Sequence, residues 1–420
     1  MSFFRHFLIA VQIFVIAGIG SVLVADDFDF SDVDAPEHDY WNRPLRDPFT
    51  KLVGDIEENR LGLDTSSEKA YLTGLLEKLE IPVSTQMLVF STTSLQLSLI
   101  SPRSPRALYF NEDIYLGYVP GGKIEIVSLD PELGAIFYIF DIPRAGNRPV
   151  VERSRRCMNC HSDADTRNVP GLVVKSVIPG PRGGSLDSFR RSITGHQIPL
   201  SDRFGGWYLT GADEIEKHWG NAIGQFVEGE IVTSPVLPGE RFDWSIFPAS
   251  TSDTLAHLLH EHQVGFVNRV VELNYRARTF LREHANPSPA DLESKIDPHV
   301  EEVVKYLLFA DEAKFPSEGI TGDPALVEAF RATREMDGDG RSLKDFDLES
   351  RMFRHRCSYM IYSSLFQGLP EGLKQRIYRR MDKALDTSSP DQEFSYLPPD
   401  EKGVIRTILK NTLTDLPEGW

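Results

Sequence analysis

Residues 157–161 read Cys-Met-Asn-Cys-His and hold two of the three cysteines in a chain of 420 residues. Two thiols separated by two residues lie one helical turn apart, and an imidazole follows directly. That pattern is the attachment signature of c-type haem. Cys157 and Cys160 would add to the two vinyl groups along one porphyrin edge, and His161 would offer a neutral ring nitrogen to the iron from the same side.

Other chemistries use the same residue types less well. A thioredoxin-like redox pair needs a strand–helix setting and leaves His161 without a role. A zinc site needs a second pair of ligands at finger-like spacing, and the sequence has no second Cys-x-x-Cys. A disulfide across two intervening residues is strained and uncommon. Cys357, in FRHRCSYMIYSS, reads as a small buried apolar residue on an amphipathic helix.

The neighbours of the motif fit the haem reading. Arg153, Arg155 and Arg156 are candidates for pairing with haem propionates, with a solvated basic patch as the plainer alternative. Pro170, nine residues after His161, is a candidate to offer its backbone carbonyl to the proximal ring. For the sixth ligand methionine is disfavoured, because after Met158 the next one is Met336. His218, in EIEKHWGN, ranks first, followed by His262 and then His196. His262 lies with Leu255, Leu259, Phe266 and Val270 on one helical stripe, which excludes His257 and His260.

The elements that must position these groups read as an α+β fold. Residues 1–25 begin with Arg5 and His6, run apolar from Phe7 to Val24, and give way to acidic sequence after Ala25. This is the pattern of an export signal, long enough to serve as a retained membrane anchor. An acidic linker is expected over 26–41, and helices plus an antiparallel sheet over 42–150. DPFTKLVGDIEENR and SSEKAYLTGLLEKLEIP carry helical spacing, the second with a Ser cap. STQMLVFSTT, ALYFNEDIYLGYV, KIEIVSLD and GAIFYIFDI read as four strands. A haem-binding segment over 151–239 follows, and 240–420 is mainly helical, with helices expected at 253–284, 289–311, 324–334, 345–367, 371–385 and 399–413.

Composition bounds the function. With 41% apolar and 25% charged residues the chain is ordinary for a globular protein. Its net charge of −17 disfavours nucleic acid as a partner and suits a basic redox protein steered by an acidic surface.

The stretches STQMLVFSTTSLQ, SPRALYFNEDIYLGYVPGG, CMNCH, NVPGLVVKSV, DRFGGWYLTG, HWGN, DLESRMFRHRCSYMIYSSLF and LPEGW together resemble the large exported bacterial cytochrome-c-domain proteins with a single c-type haem motif. The resemblance runs from about residue 40 to the C-terminus and implies one covalent haem on Cys157, Cys160 and His161. It says little about a substrate. The expected function is a periplasmic monohaem cytochrome that transfers single electrons. A haem enzyme or gas sensor with an open distal position is the alternative, since a simple carrier needs only about 100 residues. A haem that merely staples the fold is a third.

Overall fold

The computed structural model describes residues 29–143, 147–188 and 195–420. The expected export segment at 1–25 lies outside the described residues. Among those residues no helix is long and apolar enough to cross a membrane.

The chain folds around one seven-stranded antiparallel sheet: β1 (Met87–Val89), β2 (Arg106–Phe110), β3 (Ile114–Tyr118), β4 (Lys123–Asp130), β5 (Gly134–Asp141), β6 (Glu152–Arg153) and, after the ribbon β7 (Val177–Pro179) with β8 (Ser185–Ser188), β9 (Trp207–Tyr208). The spatial order is β6-β5-β4-β3-β2-β1-β9. A second ribbon pairs β10 (Ala222–Val227) with β11 (Glu230–Pro235). The stretch ALYFNEDIYLGYV is thus two strands. Its turn forms because the Asn111 side-chain oxygen accepts from the backbone nitrogens of Asp113 and Ile114, at 3.0 and 2.7 Å.

Side chains alternate across the sheet, and both faces are covered. Tyr109, Leu116, Ile126 and Tyr138 stand in one cross-strand row and pack with Ile56 of α1 (Val53–Glu57) and with Tyr71, Leu72, Leu75 and Leu76 of α2 (Glu68–Lys78). The adjacent row, Phe110–Tyr115–Val127–Phe137, faces the helical half. A sheet buried on both sides needs nearly continuous apolar strands, which is why GAIFYIF shows no clean alternation. The Ser67 cap of α2 forms as expected, with its hydroxyl accepting from Ala70 N at 3.1 Å.

After the single turn α3 (Met158–His161), the helical half is built on α4 (Thr254–Glu283), capped by Asp253. Around it lie α5 (Pro289–Lys295), α6 (Asp297–Leu307), α7 (Pro324–Ala332), α8 (Ser364–Gln367), α9 (Glu371–Leu385) and α10 (Pro399–Thr412). Two expectations need correction here. The stretch 289–311 is two helices, broken at Ile296. The stretch 345–358 is not helical: Phe346 bridges Phe353, both rings pack with Phe330, and Phe353 also packs with Tyr359. That aromatic cluster overrides the local helical spacing. Cys357 is nevertheless buried, as a small core residue should be.

From Asp29 on, the stretch expected as a linker is a docked strap. Phe30, His38 and Tyr40 are buried; Tyr40 donates to the Ala135 carbonyl at 2.6 Å, and His38 stacks on Tyr275 with Nε2 3.1 Å from Thr279 Oγ1. Burial, and then the nearby Arg278, push the His38 pKa down to about 4. Below the ordinary value of 6.5 the unfolded chain binds a proton that folded His38 refuses. Stability contributed by this residue is therefore complete above that value and is lost as pH falls toward 4. The loss should reach roughly 3 kcal/mol. Denaturation midpoints measured across this window should fall less steeply in His38→Gln than in the native chain.

Candidate haem site

The turn that carries the motif begins where β6 ends. Residues Arg155–Cys157 form a 3-10 turn that passes directly into α3, so Cys157 and Cys160 lie one turn apart on a short helix. Both thiols are free; Cys157 is half-buried and Cys160 exposed. Burial holds the Cys157 thiol above its ordinary pKa, the opposite of what an activated redox cysteine requires. Among the described residues no group of three or more His, Cys, Asp or Glu could hold a bare ion. A porphyrin brings four nitrogens of its own and asks the protein for only one or two ligands.

His161 is oriented from the backbone. Its Nδ1 is 2.9 Å from the carbonyl oxygen of Gly171, and the Gly171 nitrogen donates back to the His161 carbonyl at 2.9 Å. The expected partner was Pro170, whose carbonyl instead accepts from Ala135 N at 3.0 Å. The offset of one residue arises in the preceding loop, where Arg167 and Asn168 both take left-handed conformations, with φ of 63° and 60°. Asn268 of α4 clamps the next residue, accepting from Leu172 N at 2.8 Å and donating to Leu172 O at 2.9 Å. Phe137 packs against the imidazole with ring centroids 4.8 Å apart. Burial keeps His161 neutral against the opposing pull of the Gly171 carbonyl. With the proton on Nδ1, the Nε2 lone pair is left for a metal.

Beside this turn the sheet is only partly covered. Leu108, Val127 and Ile139 are half-buried on the helix-facing side, while Phe110, Tyr115, Leu129 and Phe137 around them are fully buried. Cys157, Met158 and Val174, also half-buried, pack against the same core. Arg106 and Glu125 border the strip, paired at 2.8 Å, and Glu125 also accepts from Ser94 and Gln96 at 2.6 and 3.0 Å. The charge of Glu125 acts on both Cys157 and His161. Arg106 Nε is buried without a hydrogen-bond partner. Free thiols, an oriented neutral imidazole, an uncovered apolar strip and a spare guanidinium donor together fit a covalently held haem.

No family model, curated protein or solved structure matches this chain.

The remaining sequence-selected residues divide. Arg153 is committed elsewhere: it stacks over Tyr40 and Trp41 and donates to both of their carbonyls, at 2.6 and 3.2 Å. Arg155 lies over the Trp41 ring at 4.1 Å, and both Arg155 and Arg156 are exposed at the edge of the motif. His196 and His262 are brought together, away from solvent, with their Nδ1 atoms 2.8 Å apart. Ser358 Oγ lies 2.7 Å from His262 Nε2, so neither nitrogen of His262 is left for iron. His218 is half-buried against Phe204, with its Nδ1 buried and unpartnered. Arg106 was missed. It sits on a strand 51 residues before the motif, and only the sheet register brings it alongside.

Proposed function

We propose that the chain is a monohaem c-type cytochrome of an exported compartment such as the periplasm, and that it passes one electron at a time. Cys157 and Cys160 hold the haem through thioethers, and His161 is the proximal ligand. The observation that carries this reading is the bond from His161 Nδ1 to the Gly171 carbonyl, made beside two unpaired thiols at the attachment spacing. When bound, the haem supplies an iron centre that changes charge by one unit.

The chain's own residues then have definite tasks. The Gly171 carbonyl fixes the tautomer of His161 and makes Nε2 more basic. Phe137 limits rotation of the ring. Leu108, Val127 and Ile139 keep water from one side, which sets the local polarity. The unpartnered Nε of Arg106 meets a propionate carboxylate. Cys160, exposed, leaves one porphyrin edge near the surface, where a partner can exchange an electron. A net charge of −17 favours a basic partner.

The test is direct. Full-length protein matured with intact export and haem-attachment machinery should keep its pigment after denaturation and solvent extraction. Its mass should rise by one haem on the peptide spanning 157–161. Unpigmented chain without that gain overturns the reading. Carbon monoxide then separates the two functional classes: an unchanged reduced spectrum supports the carrier, and a shifted one supports an enzyme or sensor.

A further inference from the structure

One histidine that the helical stripe set aside occupies a place no other shares. His260 lies on α4 and is 7% exposed, and among the described residues no hydrogen bond reaches either of its ring nitrogens. Its nitrogens are not among the fully buried unpartnered atoms, unlike His196 Nε2 and His218 Nδ1, so the polar edge of the ring keeps open space in which a ligand can reach it. The neighbouring α4 histidines have partners: His257 Nε2 is 3.2 Å from Ser252 Oγ, and His262 is held at both nitrogens.

Its position follows from the sheet register. The ring centroid of His260 is 5.4 Å from that of Phe110 and 5.6 Å from that of Tyr115. Phe110, Tyr115, Val127 and Phe137 are consecutive cross-strand partners along β2, β3, β4 and β5. His161 packs on Phe137, at the far end of the same row. Between Tyr115 and Phe137 stands Val127, the half-buried member of an otherwise buried row. With strands about 4.8 Å apart, Tyr115 and Phe137 are separated by roughly 10 Å. Arg106, paired with Glu125, borders the same strip.

We propose that His260 is the second axial ligand of the iron, opposite His161; this rests on the haem reading above. Two imidazoles close the iron to small gases and make it low-spin, which selects the electron carrier over the sensor.

The experiment uses full-length, haem-loaded protein and reads absorption and electron paramagnetic resonance. Native protein should be low-spin and indifferent to carbon monoxide. His260→Gly should become high-spin and bind carbon monoxide, and added imidazole should restore the low-spin signal. Should His260→Gly fail to accumulate, His260→Met keeps the bulk and should exchange the bis-imidazole spectrum for a histidine–methionine one, with a raised potential. His218→Ala should leave the native spectrum unchanged. A low-spin, carbon-monoxide-inert iron in His260→Gly without added imidazole, or an unchanged bis-imidazole spectrum in His260→Met, overturns the assignment, as does loss of the low-spin signal in His218→Ala alone. Covalent pigment in the same preparations is scored separately, so failure of the haem reading is distinguishable from failure of this ligand.

Discussion

Replacing both Cys157 and Cys160 with alanine should abolish covalently retained pigment altogether, the largest effect expected of any substitution in this chain. Each thiol accounts for one thioether, so either single variant should keep the haem through the other, in lower yield. His161→Ala removes a ligand but neither bond, and should leave pigment on the denatured chain with an altered spectrum before denaturation. This order of outcomes belongs to haem attachment. A dithiol–disulfide pair would instead show reversible oxidation in the native chain and no pigment in any variant. The structure already weighs against that alternative, because burial raises the Cys157 thiol, whereas attack on a disulfide needs a thiolate. The double variant should also be less stable than haem-loaded protein, because Leu108, Val127 and Ile139 would lose what covers them. Each fully uncovered aliphatic side chain is worth on the order of 1.5–3 kcal/mol, and these are already half exposed. In-gel haem staining, intact mass and denaturant midpoints check the three statements. Pigment surviving denaturation in the double variant would exclude thioether attachment.

Local features of the sequence were readable where the cause was local. The Ser67 cap and the start of α4 at Asp253 each depend on a side chain bonding to backbone a few residues away. The Cys-x-x-Cys-His turn is of the same kind, whereas the equally local Asn111 turn inside ALYFNEDIYLGYV was overlooked. Features set by distant partners were not readable. Trp207–Tyr208 adds a strand beside Leu88 and Val89, more than a hundred residues earlier, and nothing in WY announces that pairing.

A stripe argument assumes a helix with one buried face, but α4 is buried continuously from Thr254 to Tyr275 between the sheet and the other helices. Its polar residues turn inward to partners far along the chain: Gln263 to Tyr115 and Tyr359, Asn268 to Leu172, Glu261 to Arg203. Once both faces are interior, a histidine off the apolar stripe is no longer a surface histidine. Among the described residues His257 and His262 of α4 have side-chain hydrogen-bond partners at their rings, and His260 between them has none.

Glu261→Gln should destabilise the protein by about 3–5 kcal/mol, because it strands a guanidinium in the core. Arg203 Nη1 lies 2.9 Å from Glu261 Oε2, with the two side chains only 2% and 8% exposed. The same guanidinium donates to the carbonyls of Ile198 and His196, at 2.7 and 2.9 Å, so it ties α4 to the segment after residue 195. Burial holds the Glu261 carboxyl above its ordinary pKa, with Arg203 pulling the other way. That asymmetry distinguishes the two single variants. In Arg203→Met the stranded carboxyl can take up a proton, so its cost should shrink as pH falls; in Glu261→Gln the stranded guanidinium has no such escape at accessible pH. Arg203→Met additionally frees the two carbonyls, so it should cost at least as much at neutral pH. Arg203→Met with Glu261→Leu should recover a large part of the loss, since a buried pair replaced by apolar groups of similar size is often close to neutral. Denaturant midpoints for the four chains at two pH values measure the coupling. Losses that simply add, with no pH dependence in Arg203→Met, would mean that the pair does not lock α4, and with it His260, to the segment after residue 195.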